Sequence, residues 1–153
     1  MTIDKRLNEL GIVLPKAAAP VASYVPVVEH GGFAYVSGQL PFLEGTLVTG
    51  RLGEDVSIER GTAAARACGL MILSQLVNAG ISLDRVERIV KLGAFISSTG
   101  DFVDQPKVAN GASELMFEVF GEAGKHARSA VGVPVLPLGA AVEVDAVIAV
   151  SAA

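Results

Sequence analysis

The segment AAVEVDAVIAV at 140–150 constrains the fold more than any other stretch of the chain. Apolar and acidic side chains alternate there with a period of two, the signature of a half-buried β-strand. Val142, Val144 and Ala146 therefore point to one face, and Glu143 and Asp145 to the other. Such a strand buries its apolar face only against a second layer, so the rest of the chain must supply neighbouring strands and a cover.

Those elements are legible upstream. SYVPVVEH at 23–30 and FAYVSGQLP at 33–41 flank Gly31-Gly32 and predict a β-hairpin, with Pro26 placing its first strand at an edge or starting it after the proline. FLEGTLVTGRLGEDV at 42–56 reads as an extended surface loop. From Ser57 to Ala79, the residues Ala63, Ala67, Leu70, Leu73, Leu76 and Val77 recur at helical spacing, and Gly80 supplies the stop. A helical turn opens 82–98 and passes into an apolar strand over 89–97. A polar loop leads to a second helix from Val108 to Phe120, with Leu115, Met116, Val119 and Phe120 inward and Gly121 and Gly124 ending it. After HARS, AVGVPV supplies one more strand before the last. At the other end, a short amphipathic helix over 4–10, closed by Gly11, and irregular chain through Pro15 and Pro20 make 1–20 an N-terminal extension. The order β-β-α-β-α-β-β predicts a single α+β domain over 1–153, a two-layer α/β sandwich with a mixed sheet packed on two helices.

Composition narrows the function classes. Apolar residues make up 51% of the chain but aromatics only 5%, which implies an aliphatic, alanine-rich core. Twelve basic and sixteen acidic side chains give a net charge of −4, and no basic run exceeds two residues, so nucleic-acid binding is not expected. The single cysteine, Cys68, excludes an intramolecular disulfide and reads as a small buried hydrophobe. Neither His30 nor His126 belongs to a metal-ligand spacing, and GRLGED before Ser57 lacks the Lys-Ser/Thr pair of a phosphate loop, so no metal and no cofactor are expected. MTIDKRLNELG has no basic patch followed by an apolar core, and charges or glycines break every apolar stretch before membrane-spanning length. A cytoplasmic protein without membrane association is the expectation.

The candidate chemistry centres on Arg128, which precedes a predicted strand at a sheet rim. Its planar fork suits a ligand carboxylate, or alternatively an intrachain or intersubunit ion pair with Glu143 or Asp145. Glu143 faces solvent unless another subunit closes the sheet, in which case it could position water or move a proton. Tyr24 and Ser37 are polar groups beside predicted strands; Phe33 and Tyr35 share the direction of Ser37, as ordinary two-period packing also requires. His30 reads as a turn residue and His126 as a solvent-exposed one.

Two separated stretches carry a family resemblance. YVPVVEHGGFAYVSGQLP at 24–41 resembles the opening hairpin, with its SGQ(I/L)P ending, of the YjgF/RidA (reactive-intermediate deaminase) family. ARSAVGVPVLPLGAAVEVDAVIAV at 127–150 is similar to that family's closing signature, in which an ARS triplet leads through an LP turn to an alternating acidic strand. The likeness covers nearly all of 20–150, and the wording HARSAVGV resembles the family's second, less characterised branch. It implies a fold like that of the trimeric chorismate mutases, a homotrimer with clefts between neighbouring subunits. The implied activity is cofactor-independent hydrolysis of small 2-imino and 2-enamino acids, such as 2-aminoacrylate, to a 2-keto acid and ammonia. On this resemblance Arg128 clamps the substrate carboxylate, Glu143 holds or activates water, and Tyr24 and Ser37 shape the pocket. The family's cysteine is replaced by Ala130, whose main chain can still position an imine. The cleft asparagine has Asn110 as its nearest counterpart, although the connection from the helix to ARS differs in length. Two other readings remain: a non-enzymatic trimer that binds a small carboxylate metabolite, and a ribonuclease or translation inhibitor.

Overall fold

A computed structural model describes residues 1–20 and 22–153. The alternating segment forms β7 (Val142–Val150), whose even-numbered residues are buried and whose odd-numbered ones are half-buried. Period-two patterning thus places β7 with one face on the core.

Around it lies a five-stranded sheet in the order β1-β2-β7-β5-β6. The hairpin β1 (Val27–His30) and β2 (Phe33–Gln39) turns at Gly31-Gly32, where φ of +62° and +83° favour glycine. As expected, β1 begins only after Pro26. β2 pairs antiparallel with β7 and carries an irregularity between Val36 and Gln39, so Ser37 and Gly38 bulge from the ladder. On the other side β7 pairs antiparallel with β5 (Val86–Ser97), and β5 pairs parallel with the edge strand β6 (Ala127–Val133). The sheet is therefore mixed.

Two helices cover one face. α2 (Ile58–Asn78) is capped by Ser57, whose hydroxyl accepts from the Arg60 amide at 3.1 Å, and it lies over β2 and β7. α3 (Gln105–Phe120) lies over β5 and β6. Between helices and sheet, Ala64, Ala65, Cys68, Ile72 and Leu76 meet Ala34, Val36, Val144, Ala146 and Ile148 in one aliphatic core. Cys68 is fully buried, and burial drives its thiol pKa well up, as fits a small hydrophobe. Among the described residues no helix is long and apolar enough to cross a membrane.

The N-terminal helix α1 (Ile3–Glu9) docks on α3 through Arg6 Nε, which donates to the Glu118 carbonyl at 2.9 Å. The following arm is tied to α2: Ser74 donates to the Pro15 carbonyl at 2.7 Å and Gln75 to that of Ala18 at 2.8 Å.

Four expectations need correction. The segment 42–56 is no surface loop: β3 (Phe42–Leu43) and β4 (Thr46–Leu47) form a small hairpin, and Val48, Leu52 and Val56 enter the core. The Leu52 amide donates to Ser97 and its carbonyl accepts from Thr99, which stitches the segment to the end of β5. β5 starts at Val86 rather than 89, because two register shifts against β7 interrupt the period-two alternation of its first residues. α3 starts at Gln105, because Pro106 is tolerated in a first turn whose amides have no intrahelical partner. In α2, Val77 is half exposed, since it lies about 100° around the helix from the inward Leu76.

Candidate functional site

Arg128 lies within β6, not ahead of it, in register with Leu92 of β5, and Leu92 is a core residue. The arginine therefore shares the helix-covered side of the sheet at its open edge. Its Nη1 donates to Asn110 Oδ1 at 2.8 Å and to Ser113 Oγ at 3.1 Å, both on α3. Asn110 and Ser113 are three residues apart and so occupy one face of that helix. Ala130, two residues along β6, is half-buried against the core on the same side.

A cleft of about 430 Å³ opens beside this arginine, lined by Ser113, Glu114, Phe117, Lys125, His126 and Arg128. His126 is half-buried rather than free in solvent: its Nε2 lies 2.8 Å from Ser113 Oγ and its Nδ1 2.7 Å from the Gly124 carbonyl oxygen. Lys125 pairs with Glu122 at 2.9 Å and rides over the Phe117 ring. Among the described residues of one chain Arg128 makes no ion pair with Glu143 or Asp145, so the intrachain form of that alternative is not seen.

Glu143 sits elsewhere. It is in register with Phe95 of β5, which in turn pairs with Val131 of β6, so all three face the side without helices. Its carboxylate occupies the space a Cβ on Gly38 would take, 2.5 Å from that position, so the β2 bulge gives it its seat. Ser37 at the bulge donates to the carbonyls of Val25 and Pro26 at 3.3 and 3.1 Å, anchoring the segment that carries Tyr24. Tyr24 and Gly38 line a small cavity of about 80 Å³. The six residues expected in the site thus form two groups: Arg128, Asn110 and Ala130 at the β6 edge, and Glu143, Ser37 and Tyr24 around the β2 bulge. Strand β5 and the thickness of the sheet separate them within one chain.

The open face also carries exposed Val28, Phe33, Tyr35 and Val131. Burial raises the pKa of Glu143, helped by the negative charge of Asp145. Burial likewise raises that of Asp145, against opposing help to its ionised form from the Gly93 amide and the Lys91 charge. A carboxyl with a raised folded-state pKa binds its proton more tightly in the fold than in the unfolded chain. Its stabilising contribution is complete below the unfolded value and is lost as pH rises through the folded one. Asp145→Asn, which cannot ionise yet still accepts from Gly93, is therefore expected to melt above wild type at pH 7. The gap should close as pH falls toward the ordinary aspartate value of 3.8. Thermal melts across that window check it, and a gap that stays constant with pH would refute the assignment.

Sequence reasoning missed Ser113. The signal was present as its helical spacing from Asn110, but that spacing gains meaning only once β6 is placed beside α3. Among the described residues, no group of three potential metal ligands occurs.

A mixed sheet with helices on one face, apolar residues bare on the other and a polar arginine cluster at its edge defines a chorismate-mutase-like α+β protein. The chain belongs to the YjgF/RidA family: the family model described as "YjgF/chorismate_mutase-like, putative endoribonuclease" matches residues 4–149. It is 52% identical to Protein TCP17 of Trypanosoma cruzi over 95% of this chain and 92% of that protein. Among solved structures, an Agrobacterium tumefaciens protein of unknown function is 43% identical, with a TM-score of 0.88 over 98% of this chain and 94% of that one. A Shewanella oneidensis protein described as a "putative endoribonuclease" is 35% identical, with a TM-score of 0.93 over 98% and 100%.

Proposed function

We propose that this chain is a cofactor-independent deaminase that hydrolyses small 2-imino and 2-enamino acids in clefts built by two copies of itself. The observation that carries the reading is the state of Arg128. One guanidinium nitrogen is held by Asn110 and Ser113, while Nε and Nη2 have no partner among the described residues, and the arginine lines a cleft. That geometry suits a bidentate carboxylate.

The second half of the chemistry comes from a neighbouring copy in a homotrimer, because one chain holds Glu143 on the opposite side of the sheet. The uncovered face, with Phe33, Tyr35 and Val131, is the surface that such assembly would bury. In the assembled cleft Arg128 binds the substrate carboxylate, and the main chain near Ala130 orients the imine. Glu143 of the second copy, flanked by its Ser37 and Tyr24, holds a water. As the water oxygen bonds to the imine carbon, a water proton passes to the carboxylate and the C=N electron pair moves to nitrogen, which takes that proton from the carboxyl group. The resulting carbinolamine passes its hydroxyl proton through the same carboxylate to the amino nitrogen as C=O forms, and the C–N bond breaks to release ammonia. An enamine first takes a proton at carbon to become the imine. A raised glutamate pKa brings proton exchange closer to neutral pH, as this role requires. A cytoplasmic setting is part of the reading.

The cleft beside Arg128, at about 430 Å³, has room for more than the three carbons of 2-aminoacrylate. Keto-acid release is therefore expected from enzymatically generated 2-aminoacrylate and from a longer-chain imine. Glu143→Gln should lower turnover about 100-fold or more while leaving binding of a keto-acid product within a few-fold of wild type. Tight product binding without turnover by wild type would instead make the protein a carboxylate-binding module. Degradation of single-stranded RNA, which the net charge of −4 argues against, would favour the endoribonuclease description.

A further inference from the structure

The hydrogen bonds behind Arg128 have a direction. The Gly124 carbonyl can only accept, so His126 Nδ1, 2.7 Å away, carries a hydrogen and Nε2 of the neutral ring is the acceptor. The Ser113 hydroxyl must then donate to Nε2 across 2.8 Å, which turns its lone pairs toward Arg128 Nη1 at 3.1 Å. Asn110 Oδ1 takes the other Nη1 hydrogen. With both hydrogens of Nη1 consumed, the only fork left for a ligand is the side-on pair Nε and Nη2.

We propose that Ser113 and His126 are positioning residues, which lock Arg128 through this one-way chain so that its side-on fork faces the cleft. The inference rests on the reading of Arg128 as a carboxylate clamp. Physically, an arginine on an open sheet edge has several rotamers, and ordering it on each binding event would cost affinity. The chain Gly124–His126–Ser113 fixes it beforehand. It joins the turn after α3 and the residue just ahead of β6 to α3 itself, so the clamp on β6 is braced by the elements around it. Its polar atoms act through Arg128, and the ligand need touch neither Ser113 nor His126.

The test uses 2-oxobutanoate as the probe, measured by calorimetry on the full-length wild type and on Ser113→Ala, Ser113→Thr, His126→Ala, the double alanine variant and Arg128→Ala. Ser113→Ala and His126→Ala are each expected to weaken binding about five- to tenfold. The double variant should be no worse than the weaker single one, since both break one chain. Threonine, which keeps the hydroxyl, should restore binding to within about twofold. In turnover the alanine changes should raise KM and leave kcat nearly intact, because Arg128 holds the carboxylate alike in ground and transition states. Nitrogen-15 shifts of His126 should report the Nδ1–H tautomer in wild type. Binding by both alanine variants equal to wild type, or an Nε2–H tautomer, would overturn the inference while Arg128→Ala still lost affinity. If Arg128→Ala binds as wild type does, the clamp reading itself fails.

Discussion

Replacing Arg128 with alanine should cost about 100-fold or more in affinity for a 2-keto acid, with the fold and assembly intact. The side chain stands at the sheet edge, and its contacts are to Asn110 Oδ1 and Ser113 Oγ, neither fully buried. Those acceptors can turn to water when the guanidinium is gone, so the melting temperature should move little. The ligand has no such recourse: it loses the bidentate fork and the positive charge together. Arg128→Lys separates these contributions, since it keeps the charge but not the fork, and about tenfold weaker binding is expected for it. Titration of 2-oxobutanoate into each variant makes the measurement. Equal affinities for wild type and alanine would show that the cleft at β6 binds no carboxylate.

The largest stability effect should come from Gly111→Ala. α2 and α3 cross so closely there that an added Cβ would lie 2.0 Å from the Thr62 carbonyl oxygen, 2.9 Å from its carbon and 3.1 Å from the Arg66 amide. All three obstacles are backbone, so no side-chain rotation relieves them and the helices must separate. Alanine gains about 0.8–1 kcal/mol over glycine in a helix. Overpacking of a filled core costs about 1–3 kcal/mol and sometimes more, and this clash is severe enough for the upper end to win. A net loss of about 2 kcal/mol, read in thermal and urea melts, is the expected outcome. Gly100→Ala serves as control, because a Cβ there meets nothing within 4 Å. Coincident melts for Gly111→Ala and wild type would show that the two helices are not packed as described.

The same crossing explains part of what the sequence could and could not reveal. Helical spacing identified α2 and α3, and Ser57 and Gly80 marked the ends of α2. Yet Gly61, Gly69 and Gly111 look like weaknesses in a helix until their neighbours are known. Alternation identified β7 and the separate faces of Glu143 and Val144, because period two is a local property. Segment 42–56 failed for the opposite reason: Val48, Leu52 and Val56 are buried by contacts with the distant β5 and with Ala140–Ala141, and no local period records them. Arg128, Glu143, Tyr24, Ser37, Ala130 and Asn110 were singled out as candidates by residue chemistry and family resemblance. Their division into two groups was not. It follows from β6 pairing parallel to β5 at the sheet edge, which places Arg128 beside Leu92 on the helix side and leaves Glu143 beside Phe95 on the other. Ser113 and His126 escaped because their roles depend on Arg128 reaching α3.

That division makes the central claim testable in one measurement, keto-acid release by mixed oligomers. Arg128→Ala and Glu143→Gln chains are co-expressed with different tags, the hybrids are isolated, and their turnover is compared with that of each parent. If every cleft takes Arg128 from one copy and Glu143 from the next, each isolated mixed trimer, whichever parent supplies two of its chains, holds both residues in about a third of its clefts. Activity should return to about that fraction of wild type, although each parent alone is inactive. Hybrids no more active than their parents would mean that Arg128 and Glu143 do not meet between copies, and the shared-cleft account would be wrong.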